Sequence, residues 1–247
     1  MEPVLEHPVP AGPLAIRWLA WTVPEIRAGT LARLEVELEN AGLAPWDADV
    51  NLAYHWLDER GNAIVWDGIR TPLALAPGDR AKLHAPVRGP IPPGRYRLTL
   101  DLVSEHRFWF AELGNHVLER EVDVGPRDAS TARAHLPEGA TPAPDWHERV
   151  RALHEEGYAA VGGSIAHARA RLPRRDDDPE LEPYVPGGGR NPAFAHPLVC
   201  PSLLAPLEPN AVVAGLPAWR PARDEPWIYD GRATVVIPRS RSRRRPA

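Results

Sequence analysis

The sequence predicts a mainly β protein: an immunoglobulin-like antiparallel β-sandwich, then a short helix and a Pro-rich, largely irregular C-terminal region. Three observations carry this. From Leu14 to Val124 apolar residues alternate in short runs broken by turn residues every ~8–12 positions, the pattern of a sandwich. Six of the nine tryptophans (Trp18, Trp21, Trp46, Trp56, Trp66 and Trp109) fall in that stretch, and most of them must be core. The 30 prolines crowd the second half, where alternation fades.

Residues 1–13 form an N-terminal extension. Met1 to Pro10 is acidic and broken by prolines, without the basic and apolar regions of a secretory signal. Leu14 to Trp21 opens the sandwich at 14–124. Leu34, Val36 and Leu38 then alternate with Arg33, Glu35, Glu37 and Glu39, a half-buried strand closed by Asn40-Ala41-Gly42. Val50, Leu52, Tyr54 and Trp56 give the next inward row, and the turn Asp58 to Asn62 sends Ala63 to Asp67 back as a hairpin arm. Ala76-Pro77-Gly78-Asp79 precedes the row Ala81, Leu83, Ala85 and Val87. Pro92-Pro93-Gly94 precedes Tyr96, Leu98, Leu100 and Leu102, the strongest strand pattern. Arg107 to Glu112 and His116 to Val124 complete seven or eight strands.

Residues 125–144, small and polar and broken by Pro126, Pro137 and Pro142, read as a linker. Residues 145–238 open on a helix, with Asp145 and Glu148 as an acidic capping box, Trp146, Val150 and Leu153 on one face, and Gly157 at its C-terminal end. Ser164 to Leu172 reads as a second short helix stopped by Pro173. Residues 183–226 read as irregular extended chain. The tail 239–247, with five arginines, reads as disordered and solvated.

Net charge is −4 and the pI about 6.2, which argues against nucleic acid or an anionic membrane as a partner of the whole molecule. Lys82 is the only lysine among 29 basic residues, a bias of GC-rich coding that warns against reading each arginine as a ligand contact. Cys200 is alone, so the fold stands on burial without an intrachain disulfide. No apolar run reaches the ~18 residues of a membrane span. These features make a cytoplasmic location the expectation and leave the oligomeric state open.

No catalytic constellation, metal site or cofactor motif is found. Gly187-Gly188-Gly189-Arg190 lacks the Gly-Lys-Ser/Thr ending and the strand–helix setting of a phosphate loop, so a flexible turn is the reading. Gly162-Gly163 lacks the three spaced glycines of a dinucleotide fingerprint. His147 and His154 lie seven helical residues apart, ~10 Å, too far to share zinc, and read as surface histidines. Cys200 sits in an apolar stretch and reads as an inert thiol. Asp176-Asp177-Asp178 lies in a charged, solvated run, not in the Asp-x-Asp of a metal–sugar site. Asp101, Glu105 and His106 form the one tight acidic–histidine group beside aromatics.

Tyr54-His55-Trp56-Leu57-Asp58, Gly61, Trp66-Asp67-Gly68, Arg70-Thr71, Leu75-Ala76-Pro77-Gly78 and Pro93-Gly94-Arg95-Tyr96-Arg97-Leu98 occur in that order. Together with Asp101-Leu102-Val103 and Phe108-Trp109-Phe110, they resemble a bacterial β-sandwich module of surface-polysaccharide machinery. Such modules follow the ATPase of Wzt-type O-antigen ABC transporters or stand beside glycosyltransferases and methyltransferases. The resemblance covers residues 14–124 and implies recognition of a glycan, with glycan-processing enzymes or a transporter as partners. No ATPase precedes the sandwich in this sequence, so recognition and not transport is the implied role.

The expected ligand-binding residues are Trp109, Asp101, His106 and His55. In a strand Trp109 points opposite to Phe108 and Phe110, so if both phenylalanines enter the core its indole lies outside. His55 alternates out from Tyr54 and Trp56 in the same way. The expected function is therefore a non-catalytic carbohydrate recognition module acting with polysaccharide biosynthesis or export. The alternatives are a scaffold that binds another protein and, less favoured, an accessory of glycosyl transfer in residues 145–247.

Overall fold

The computed structural model describes residues 1–130, 132–134, 136, 139–167, 181–184, 203–204, 207–213, 216–221 and 225–237. Gly187 to Gly189, Cys200, Asp176 to Asp178 and the tail 239–247 lie outside the described residues. The chain divides into two compact units, Met1–Pro126 and Arg127–Ala247.

The first unit contains β1 (Glu2–Pro3), β2 (Ile16–Thr22), β3 (Leu31–Asn40), β4 (Val50–Leu57), β5 (Ala63–Val65), β6 (Thr71–Pro72), β7 (Arg80–Arg88), β8 (Gly94–Ser104), β9 (Phe108–Trp109) and β10 (Leu118–Val124). A 3-10 turn, Phe110–Leu113, follows β9. One sheet runs β1-β2-β3-β7 and the other β10-β8-β4-β5, with β6 on β4 and β9 on β8. All of these pairings are antiparallel.

Alternation dictates the layering. Leu34, Val36 and Leu38 of β3 enter one core with Leu52, Tyr54 and Trp56 of β4 and Leu98, Leu100 and Leu102 of β8. Each fully buried Leu or Val contributes roughly 1.5–3 kcal/mol by transfer from water. Aromatic polar atoms find partners at the edge of this core: Trp56 Nε1 donates to the Arg88 carbonyl at 2.8 Å, and the Arg88 amide donates to Tyr54 Oη at 3.1 Å. Both bonds join β4 to β7 of the facing sheet. Buried Asn115 does the same by accepting from the Ile16 amide at 2.9 Å and donating to the Phe110 carbonyl at 3.0 Å. A polar side chain so fully bonded fixes the sheets without the cost of an orphaned amide.

The second unit contains β11 (Arg133–Ala134), β12 (Thr141–Pro142), α1 (Trp146–Glu156), β13 (Ala160–His167), β14 (Leu181–Tyr184), β15 (Leu203–Leu204), β16 (Leu207–Val213), β17 (Leu216–Pro221) and β18 (Trp227–Ile237). Trp146, Val150 and Leu153 of α1 pack against Val161, Ile228, Ala233 and Val235, as the helix periodicity predicts.

Several expectations are corrected in this unit. Residues 164–167, expected to begin a second helix, extend β13, which pairs in parallel with β18 from Ala160 opposite Trp227 to His167 opposite Ile237. Gly163 shows why: a Cβ there would lie 2.0 Å from the Ala233 carbonyl oxygen, so the glycine admits close strand pairing that no other residue allows. Within 125–144, expected to be a linker, Thr141–Pro142 pairs with β18, and Leu136, Ala140 and Ala143 pack on the helix core. The described pieces of 183–226 are extended, as expected, and β16 and β17 among them pair as an antiparallel hairpin. Asp145 makes no capping bond with its side chain, which binds Arg149 Nε at 2.5 Å instead. His154, expected on the surface, is buried and donates from Nε2 to the Asp128 carbonyl at 3.3 Å.

Candidate functional site

The outer face of the β4–β8 sheet is set by register. His55 lies opposite Thr99, Ala53 opposite Asp101, and Asn51 opposite Val103. Trp109 in turn lies opposite Val103 across β8–β9. Residues paired across an antiparallel ladder share a face, so His55 and Trp109 lie together, away from the core row Tyr54–Trp56. Phe110 is fully buried and Phe108 packs against the core, which leaves the Trp109 indole half-buried on the outer face.

A third ring joins them because β5 and β6 both pair with β4 while the chain from Trp66 to Arg70 loops between them. The Gly68 amide donates to the Tyr54 carbonyl at 3.1 Å, and a Cβ at Gly68 would lie 2.4 Å from that oxygen. This close approach folds the loop back over β4. Trp66 stacks on His55 with centroids 4.1 Å apart and planes at 22°. Trp109 meets His55 edge-on at 4.5 Å and Trp66 at 6.0 Å. Such pairs contribute roughly 0.5–1.5 kcal/mol each beyond buried area. The Trp66 residue is nevertheless 52% exposed.

Charged groups frame the rings. Arg70 lies 5.2 Å over the Trp109 ring, and three of its N–H groups are used: Nε to Glu105 Oε1 at 2.7 Å, Nη1 to the Gly68 carbonyl at 2.9 Å, and Nη2 to Asp67 Oδ1 at 3.0 Å. Asn51 donates to the same Glu105 oxygen at 3.3 Å. His55 Nδ1–H donates to the Trp66 carbonyl, which leaves Nε2 as the acceptor of a neutral ring. Burial pushes the His55 pKa below the usual histidine value and Arg70 adds to this, against the pull of the Trp66 carbonyl. Thr99 Oγ1, opposite His55, is buried and has no hydrogen-bond partner among the described residues.

Of the four expected ligand contacts, His55 and Trp109 are brought together, but His55 is only 4% exposed: Trp66 stacks over it, so it backs the surface and does not face solvent as expected. Asp101 departs from the expectation. The 3-10 turn covers that part of the outer face, so Asp101 is only 2% exposed and accepts from the Leu102 amide at 2.7 Å and the Ala111 amide at 3.2 Å. Burial pushes its pKa up to about 6, against those two amides. His106 is exposed in the turn between β8 and β9 at φ 62°, and makes no hydrogen bond or ring contact with the cluster among the described residues. Trp66, Arg70 and Asp67 belong to the surface yet were not singled out by sequence reasoning. The signal was present in the hairpin, since Trp66 stands next to Val65, whose partner Trp56 points inward.

The outer face thus presents an open indole backed by an imidazole, a second indole under an ion-paired guanidinium, and carboxylates at the rim. Among the described residues no group of three or more His, Cys, Asp or Glu is placed to hold a metal, and no helix is long and apolar enough to cross a membrane.

No protein-family model matches the sequence, and no curated protein matches it. Among solved structures, the chain is similar to Salmonella α-2-macroglobulin reacted with methylamine, with 17% identity and a TM-score of 0.29 over 53% of this chain and 8% of that one. It is similar to a putative β-galactosidase from Bacteroides fragilis, with 14% identity and a TM-score of 0.27 over 63% of this chain and 20% of that one. For the native conformation of E. coli α-2-macroglobulin the identity is 15% and the TM-score 0.26, over 59% of this chain and 10% of that one. The chain thus spans at most a fifth of these three structures, and likenesses this weak carry no argument about activity.

Proposed function

We propose that the sandwich is a non-catalytic carbohydrate recognition module for a surface polysaccharide, acting beside polysaccharide biosynthesis or export enzymes. The observation that supports this best is the half-exposed Trp66 indole, held rigid on His55 and flanked by Trp109 and the Arg70 ion-pair network. A pyranose ring presents a C–H-rich face and a rim of hydroxyls. An indole gives the first a flat apolar partner, and the fixed polar groups around it meet the second. Rigid stacking lowers the ordering cost on binding. Affinity in the micromolar to millimolar range, about −8 to −4 kcal/mol, is expected for one such surface.

Tryptophan fluorescence titrated with the source organism's polysaccharide, repeated on Trp66→Ala and Trp109→Ala, tests the reading. A saturable change lost in both folded variants supports it, and the same isotherm in all three proteins rejects it. Exposed Ile64 and Ile69 beside Trp66 favour one competing reading, a scaffold whose sandwich holds an apolar protein partner. Retention of a protein without any sugar affinity would select it.

A further inference from the structure

Resting on the carbohydrate reading, we infer that the Trp66–Trp109 surface selects neutral, hydroxyl-rich glycan and rejects chains bearing carboxylate, sulfate or phosphate groups. An arginine at a sugar site would ordinarily invite an acidic sugar, because the guanidinium pairs bidentately with anions. Here that capacity is already committed. Arg70 binds Glu105 and Asp67, two carboxylates against one cation, and its third bond goes to the Gly68 carbonyl. The three charged groups that form the rim therefore sum to one negative charge. The nearby Arg107 does not redress this: its guanidinium lies 6.0 Å over Phe108, the ring that points opposite to Trp109 along β9. Asp101 is buried beneath the 3-10 turn with its oxygens bound to amides.

Hydrogen-bonding capacity points the same way. Among the described residues Asp67 Oδ2 and Glu105 Oε2 have no partner, and the Asp67 and Glu105 side chains are 77% and 28% exposed. Acceptors require donors. Sugar hydroxyls supply them, whereas a carboxylate or sulfate brings only acceptors and like charge.

The full-length protein is applied to an array of bacterial polysaccharides of known composition, with dextran and carboxymethyl dextran as a matched neutral and anionic pair, at 20 mM and 150 mM salt. Binding confined to neutral chains is expected, with each acidic counterpart at least tenfold weaker at the lower salt. Asp67→Asn should raise the ratio of acidic to neutral binding several-fold at 20 mM salt, because it removes one negative charge from the rim, a response that loop rigidity alone would not produce. Equal or stronger binding of acidic chains overturns the selectivity while leaving carbohydrate recognition standing. Binding to no polysaccharide on the array overturns both.

Discussion

On the inner face of the second sheet Trp56 is fully buried, with its N–H held by the Arg88 carbonyl. On the outer face, one residue along β4, His55 supports a Trp66 whose indole is open on one side. Both faces of this sheet carry indoles, and what differs is the layer opposite. The inner face meets β3 and β7, so its rings fill space and their value is cohesion. The outer face is covered by the 3-10 turn only over Asp101. At Trp66 nothing described closes over it, and an aromatic ring kept rigid and uncovered is suited to contact something else. Residue type alone does not separate a core aromatic from a surface one; the presence of a second layer does.

The largest effect expected from this contrast is on the inner face. Trp56→Ala leaves a cavity and removes the indole N–H bond to the Arg88 carbonyl, and should lower stability by roughly 3–5 kcal/mol, read as a shifted urea midpoint. A loss under 1 kcal/mol would mean that the core lies elsewhere.

Asp101 gives a pH test of the covered part of the outer face. Its folded pKa of about 6 lies above that of an unfolded aspartate, so between about pH 4 and 6 the unfolded chain binds fewer protons than the folded one. Stability contributed by this group is therefore full below pH 4 and falls as pH rises through 6, by about 2–3 kcal/mol. The buried histidines His55 and His154, with lowered pKa values, act in the opposite direction, so the wild type is compared with Asp101→Asn. The variant should lack this fall, and parallel pH curves would exclude it.

Gly68→Ala forces a Cβ onto the Tyr54 carbonyl. About 1–3 kcal/mol of stability should be lost as the loop moves, together with the Trp66–His55 stack, detectable by near-ultraviolet circular dichroism. An unchanged spectrum would show that the loop tolerates the side chain. The smallest effect on stability belongs to Trp66→Ala, about 1–2 kcal/mol, because the residue is already 52% exposed and loses two ring contacts, yet this substitution should weaken glycan binding at least tenfold. Unchanged glycan binding by the folded variant would erase the distinction between the faces.

The sandwich strands were legible because alternation with period two appears wherever one sheet face is buried, as along Leu34 to Leu38 and Tyr96 to Leu102. Trp109 and His55 were legible on the same ground, since each stands between inward residues. Three features were not. Asp101 obeys the alternation but is covered by a turn that the sequence pattern does not place. The network of Arg70 with Glu105 spans 35 positions, and its pairing depends on two loops meeting across β4. The strand at Ala160–His167 was hidden because its pairing partner β18 is distant in sequence, and its Gly-Gly pair reads as a break until a neighbouring carbonyl is seen to need the space.

The central claim is that the outer face, and not the core, meets the glycan. It is tested most directly by the indole N–H resonances of the 15N-labelled protein, assigned by single Trp→Phe variants and followed while a binding polysaccharide is added. The Trp66 and Trp109 signals should shift and broaden with a common saturation curve, while those of Trp56 and Trp46 stay in place. Movement of the core indoles with Trp66 and Trp109 unmoved, under conditions where the polysaccharide is bound, would contradict the account.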